Sequence, residues 1–303
     1  MTGDDRKASM LTQPLKSGDP VHVAATSSAV ESLQPVQDGL AVLRRWGLSV
    51  PSPEPVLRRW GYLAGSDQQR RSDLSVPQDG QQGRLIACAR GGWGAARLLE
   101  ESIPWTQGWL MGFSDVTSLL WARLAAGWSG GIHGPLLTTL ASEPSWSQER
   151  LRRILFGDAV PDLNGIALGG GRVCGPVIAG NLTVASHLIG SHHLPNLNGA
   201  ILVLEDVGEA PYRIDRMLTH WRLSGLLQQV GGIAFGQFSG CDDDQRDDSE
   251  RFGLRDVLLE RTKDLQVPRV IDLPVGHVCG NAALPMGASA VLDGDSGRLS
   301  LLT

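Results

Sequence analysis

Short apolar runs alternate with stretches of helical period through the first half of the chain. VHVAATSSAV reads as a strand running into a turn of small residues, and LQPVQDGLAVLRRWG as an amphipathic helix closed by Gly47. RLIACARGGWGAARLLE and WLMGFSDVTSLLWARLAAG each read as a strand, a turn and a helix. This rhythm predicts a parallel α/β sheet.

The pattern then changes. PSWSQERLRRILFGD is a polar-faced helix, and DLNGIALGGGRVCGPVIAG is rich in glycine without helical period, so a domain boundary is expected between about residues 157 and 175. The expected division is an N-terminal domain over residues 1–157, a linker over 158–174 and a C-terminal domain over 175–303. In the last of these GAILVLEDVG and VGGIAFGQF read as strands and APYRIDRMLTHWRLSGLL as a helix. ASAVLDGDSGRLSLL has the alternation and Asp-Gly turn of a hairpin, giving this half a mixed α/β character.

Composition narrows the function classes. With 42% hydrophobic residues in 303, the chain can bury two modest cores, and its net charge of −5 gives no reason to expect nucleic acid or an anionic membrane as partner. The first twenty residues carry no apolar run of signal-peptide length and no later stretch approaches a bilayer's thickness, so a cytoplasmic protein is expected. Cys88, Cys174, Cys241 and Cys279 never form a C-x-x-C pair and read as buried free thiols. The acidic stretch CDDDQRDDSE reads as a solvated loop, because a calcium loop's glycine and terminal glutamate are missing at the required spacing.

Several residues can do chemistry. Ser114, in Gly112-Phe113-Ser114-Asp115, stands where an apolar strand meets a helix, the place of a nucleophile elbow, although Val116 replaces the last glycine of G-x-S-x-G. Capping of the helix by Ser114 or Asp115 is the plainer alternative. Arg90-Gly91-Gly92-Trp93-Gly94 offers backbone N–H groups at a helix start, able to face a developing oxyanion; a dinucleotide site is disfavoured because G-x-G-x-x-G is absent.

Among seven histidines, His277 lies in LPVGHVCGNAALPMG, a loop of the kind that presents side chains to a site, while His133 follows a glycine-rich turn and is a candidate lining residue. His192 and His193 lack further ligands at metal-binding spacing. A carboxylate to orient the base should end a rigid element; Glu205 does so after AILVL, with Asp206 and Glu209 as competitors. Cys279 is a rival nucleophile, two residues from His277, a separation that rarely gives nucleophile-to-base geometry.

Taken in order, WGYLAGSDQQRRSDL, ARGGWGAARLL, GFSDVTSLL, GPVIAGNLTVASHLIGS, LEDVGEAPYRIDRML and GHVCGNAALPMG, after the opening LKSGDPVHVAATSSAV, resemble the serine LD-carboxypeptidases, or muramoyltetrapeptide carboxypeptidases. Their relatives include the microcin C immunity hydrolases. The resemblance spans nearly the whole chain. It implies a flavodoxin-like N-terminal domain and a C-terminal mixed α/β domain with a small barrel.

It also implies a triad of Ser114, Glu205 and His277, with the backbone N–H groups of Gly92 and Asp115 as the oxyanion hole and neither metal nor organic cofactor. The implied reaction removes the terminal D-alanine of a cytoplasmic murein tetrapeptide during cell-wall recycling, by a protein that pairs as a homodimer. Hydrolysis of a peptide-nucleotide antibiotic is the alternative within the family, and a nonenzymatic peptide- or nucleotide-binding protein the alternative outside it. Trp93 stands where the family usually has tyrosine, so substrate preference is expected to differ before mechanism does.

Overall fold

A computed structural model of the chain describes residues 12–75, 84–242 and 252–302. After Asp242, the acidic cluster Asp242–Asp244 and Asp247–Asp248 lies outside the described residues. The chain divides into two units. The first contains the residues up to Val160 with His192–Pro195 and Cys279–Gly287, and the second contains Pro161–Ser191, Asn196–Val278 and the residues from Ala288 onward.

The apolar runs of the first half become strands and the periodic segments helices. In order they are β1 (Val21–Ala24), α1 (Gln34–Arg45), α2 (Asp67–Ser72), β2 (Leu85–Cys88), β3 (Trp109–Gly112), α3 (Thr117–Ala125), β4 (Gly131–His133), α4 (Leu137–Leu140) and α5 (Ser145–Phe156). Strands β1 to β4 pair in parallel in chain order, and the short strand Leu284–Pro285 adds to β4 antiparallel. Every residue of β2 and β3 is buried, as befits parallel strands covered on both faces.

A parallel bridge between Pro20 and Ser49 lies beside β1. Counting it as a rudimentary strand restores the order 2-1-3-4-5 of flavodoxin-like sheets. Helix α1 buries Val36, Gly39, Leu40 and Leu43, the i, i+3, i+4, i+7 stripe of an amphipathic helix. The segment expected as a helix after the glycine turn is instead one 3₁₀ turn, Ala96–Glu100. Pro104 follows closely and disfavours helix in the residue before it, leaving no length for an α-helix.

The second unit holds β5 (Leu163–Asn164), β6 (Ile166–Ala167), β7 (Arg172–Asn181), α6 (Leu182–Ser186), β8 (Ile201–Val207), α7 (Pro211–Leu223) and β9 (Gly232–Ser239). It continues with α8 (Leu254–Thr262), β10 (Arg269–Ile271), β11 (Ser289–Asp293) and β12 (Arg298–Leu301). The sheet order is β5-β12-β11-β7-β8-β9-β10-β6, parallel from β7 to β10 and antiparallel elsewhere. Strands β5 and β6 thus occupy opposite ends of the sheet while only Gly165 separates them along the chain. The sheet is thereby a nearly closed barrel, and β11 with β12 is the expected terminal hairpin.

Two expectations about the division change. Residues 158–174 are no linker, because β5, β6 and the start of β7 lie there, and short glycine-rich strands at a barrel seam lack the apolar alternation that marks a strand in sequence. The C-terminal stretch is also not one continuous domain, since Cys279–Gly287 belongs to the first unit, where Leu284 and Pro285 pair with β4.

At the seam, Gly165 donates its N–H to the Gly297 carbonyl at 2.8 Å, and a Cβ there would lie 2.3 Å from the backbone oxygen of Ile271. Gly165→Ala should lower the unfolding free energy by about 1–3 kcal/mol, the usual cost of overpacking, which exceeds the ~0.4–1 kcal/mol of chain entropy that alanine recovers. Urea unfolding followed by circular dichroism measures it; an unchanged midpoint would show that the seam yields freely.

Candidate active site

In the first unit, Ser114 follows β3 as the opening residue of a 3₁₀ turn, Ser114–Val116, that leads into α3. Its φ is +62°, a left-handed conformation that a residue with a Cβ adopts at a cost of about 1–2 kcal/mol. Such strain persists where the surrounding fold imposes it, and the strand-turn-helix setting is that of a nucleophile elbow. Gly91 is packed against the serine: a Cβ at Gly91 would lie 3.0 Å from Ser114 Cβ and 3.1 Å from its Oγ.

Neither Ser114 nor Asp115 caps the helix; no side-chain cap is formed on the 3₁₀ turn or on α3. Asp115 turns inward, where its Oδ2 accepts the Ala95 N–H at 2.8 Å. Burial pushes its carboxyl above the usual range, opposed by the Ser27 hydroxyl, by the Ala95 and Gly94 N–H groups and by the charge of Arg70. The Ser28 hydroxyl accepts the Trp93 N–H at 3.0 Å, tying the glycine turn to the segment that follows β1. Trp93 itself is 49% exposed.

In the second unit, His277 Nδ1 and Glu205 Oε2 are 2.7 Å apart. Glu205 lies on β8 at the residue where register with β9 slips, and its side chain is wholly buried. Burial pushes its carboxyl up, while the hydrogen bond and charge of His277 pull it down. With Glu205 ionised, Nδ1 of His277 carries the proton and Nε2 is left as the basic nitrogen.

Gly276, at φ +123°, makes the approach of the loop to Glu205 feasible, for a Cβ there would lie 2.8 Å from Oε2. The Ser239 hydroxyl donates to the His277 carbonyl at 2.8 Å and holds the loop from β9.

The competing carboxylates have other partners. Asp206 accepts from Asn181 Nδ2 at 3.0 Å, the Thr183 N–H at 2.8 Å and the Thr183 hydroxyl at 2.7 Å, and so organises the start of α6. Glu209 pairs with Arg213 at 3.3 Å on the surface. His133, expected as a lining residue, is wholly buried in β4 with its ring edge-on to Phe113, because strand pairing with β3 and Leu284 turns it into the core.

His192 and His193 stack at 3.9 Å between ring centroids, and among the described residues no group of three or more His, Cys, Asp or Glu converges as metal ligands would. Among the same residues no helix is long and apolar enough to cross a membrane.

Sequence reasoning overlooked Glu143. Its Oε2 accepts the N–H groups of Gly280 at 2.8 Å and Asn281 at 3.0 Å, while the Ser147 hydroxyl donates to the Asn281 carbonyl at 2.8 Å and Arg150 Nε to that of Ala283 at 2.9 Å. The chain that leaves His277 is thus anchored at once to α5 and the turn before it. Nothing in the local pattern EPSWSQER signals so distant a partner.

Comparison with known proteins gives the family. Residues 21–134 match the LD-carboxypeptidase N-terminal domain and residues 174–292 the LD-carboxypeptidase C-terminal domain. A Synechocystis protein provisionally named a carboxypeptidase is 46% identical over 95% of this chain and 96% of its own. The murein tetrapeptide carboxypeptidase of Pseudomonas aeruginosa is 36% identical over 78% of this chain and 81% of its own. The chain belongs to the LD-carboxypeptidase family. In fold it also matches the solved structure of MccF in complex with glutamyl sulfamoyl guanosine, with a TM-score of 0.83 at 22% identity over 97% of this chain and 98% of that one.

Gly276→Ala should break the His277–Glu205 hydrogen bond, since the added methyl collides with the accepting oxygen and the backbone conformation disfavours it. Proton NMR in water reads this directly: the downfield Nδ1–H signal of His277 present in the parent should vanish. A retained signal would mean that the loop shifts without loss of the pair.

Proposed function

We propose that this chain is a serine-type LD-carboxypeptidase that removes the terminal D-alanine from murein tetrapeptides in the cytoplasm, acting in cell-wall recycling as a homodimer. Family membership supports the reaction class. The observation that carries the reading within this chain is the 2.7 Å bond between His277 and Glu205, a carboxylate wholly withdrawn from water and turned to an imidazole.

In this reading Ser114 Oγ attacks the scissile carbonyl carbon as His277 Nε2 takes its proton, and Glu205 stabilises the imidazolium. The N–H groups of Gly92 and Asp115 bind the oxyanion. Collapse of the tetrahedral intermediate breaks the C–N bond, His277 returns the proton to the departing amine, and D-alanine leaves. A water molecule then attacks the acyl-enzyme, giving its proton to His277, and the tripeptide carboxylate and the free serine are regenerated.

A second reading, cleavage of a peptide-nucleotide conjugate, is favoured by Trp93, whose half-exposed indole in the turn beside Ser114 could stack on a flat base. The same triad would serve.

Purified protein incubated without added metal should release D-alanine from a murein tetrapeptide, and Ser114→Ala should lower turnover by about 10⁴–10⁶-fold while thermal unfolding stays near that of the parent. Near-parental turnover in the variant would remove Ser114 from the mechanism. Release of an aminoacyl nucleoside's amino acid, but no D-alanine, would favour the second reading. The rate should fall toward acid pH, because a general base must start neutral, and a rate flat between about pH 5 and 8 would argue against histidine.

A further inference from the structure

The segment GYLAGSDQQR is prominent in the sequence, yet none of its residues enters the proposed mechanism. The structure gives four of them a place. Ser66 caps α2 through a capping box with Gln69, which sets Asp67 and Arg70 one helical turn apart. Arg70 is wholly buried, an unusual position for an arginine, and its Nη2 pairs with Asp67. Its Nη1 donates to two backbone carbonyls: that of Thr26, just after β1, and that of Gly94 at 2.8 Å.

The Gly94 carbonyl and the Ala95 N–H belong to the same peptide group. Asp115 Oδ2 accepts that N–H at 2.8 Å. One peptide plane of the glycine turn is therefore gripped at both polar ends, by a guanidinium on its oxygen and by a carboxylate on its nitrogen. The grip on the oxygen is a charge-assisted hydrogen bond, and the grip on the nitrogen is one as well when Asp115 is ionised.

One grip comes from the residue that follows Ser114, and the plane lies two residues beyond Gly92. Asp67 is anchored in turn by Arg97, whose Nε and Nη2 reach its two oxygens at 3.1 and 2.6 Å. The grip on the Gly94 oxygen is thus itself braced on a second arginine.

We propose that Arg70, oriented by Asp67, is a positioning residue for the oxyanion hole: it fixes the Gly94–Ala95 peptide against Asp115 and so sets the spacing between the Gly92 and Asp115 N–H groups. This rests on the serine-peptidase reading above, and it deepens that reading by assigning the D-x-x-R pair a task. Loss of the guanidinium frees the Gly94 carbonyl to rotate, and the donors lose their alignment on the tetrahedral oxyanion. Ground-state binding of the peptide, which does not depend on that alignment, persists.

The test compares parent, Arg70→Gln, Arg70→Lys and Asp67→Asn on a murein tetrapeptide, with kcat and KM determined separately and thermal unfolding recorded for each. A tripeptide ending in a boronic acid, which forms a tetrahedral adduct on serine, serves as probe of the oxyanion hole. Arg70→Gln should lose about 10²–10³-fold in kcat, the loss typical of a missing oxyanion donor, with KM changed by less than about threefold. Its affinity for the boronate should fall in parallel with kcat.

Arg70→Lys, which keeps a donor and a charge but not the fork, should recover part of the loss. Asp67→Asn, at a partly exposed position, leaves Arg70 in place without its anchor and should lose kcat in the same direction if Arg70→Gln does not fold. An active parent whose folded Arg70→Gln or Asp67→Asn variants keep kcat, or lose KM and boronate affinity without kcat, overturns the inference alone. A parent that releases no D-alanine and does not bind the boronate overturns the reading beneath it as well.

Discussion

The carboxylate of Glu205 has no contact with solvent, and taking such a group out of water costs several kcal/mol unless polar partners offset it. The same constraint governs Arg70 and Asp115, which are almost completely buried, and Glu143, which is nearly so. Each of these charges is placed against backbone amides or an opposite partner rather than left to the core. Apart from Asp67, which opens α2, the partners lie in segments without regular secondary structure: the turn after β1, the glycine turn, the loop of Gly276 and His277, and the strap that follows it. Buried charge thereby does for these loops what hydrogen-bond ladders do for strands, holding irregular backbone in one conformation.

Close backbone approach is the complementary condition. The Glu205 oxygen meets His277 because Gly276 leaves room beside it, and the Ser114 side chain sits against Gly91 for the same reason. A strained φ at Ser114 adds a local cost that the packing of β3 and α3 sustains. In the proposed mechanism the side chains that do chemistry are thus few, and most of the sequence around them serves to set backbone.

In the second unit the sheet curls until its two end strands, β5 and β6, are separated along the chain by Gly165 alone. Closure of this kind removes exposed sheet edges and stiffens the parallel strands at its centre. Glu205 stands on one of them, β8, at a slip in register that turns the residue's surroundings away from simple strand alternation. A stiff strand is a suitable mount for a carboxylate that faces an imidazole.

Strands β1 to β3, helices α1, α3 and α5, the terminal hairpin and the strand-turn-helix setting of Ser114 were legible in the sequence, because periodicity and turn residues act over a few positions, whereas α2, β4, α4 and the 3₁₀ turn Ala96–Glu100 were not. The choice of Glu205 over Asp206 and Glu209 was not. All three follow the same apolar run within five residues, and only the slip in β8 and the position of Gly276 direct one of them to His277. The burial of His133, the strands within residues 158–174 and the return of Cys279–Gly287 to the first unit were also invisible locally, since each depends on partners 100 or more residues away in the chain, such as Leu284 beside His133 or Asn281 beside Glu143. Local pattern determined which elements form; tertiary packing decided which polar groups are buried together, because the cost of burying a charge is settled only when its distant partner arrives.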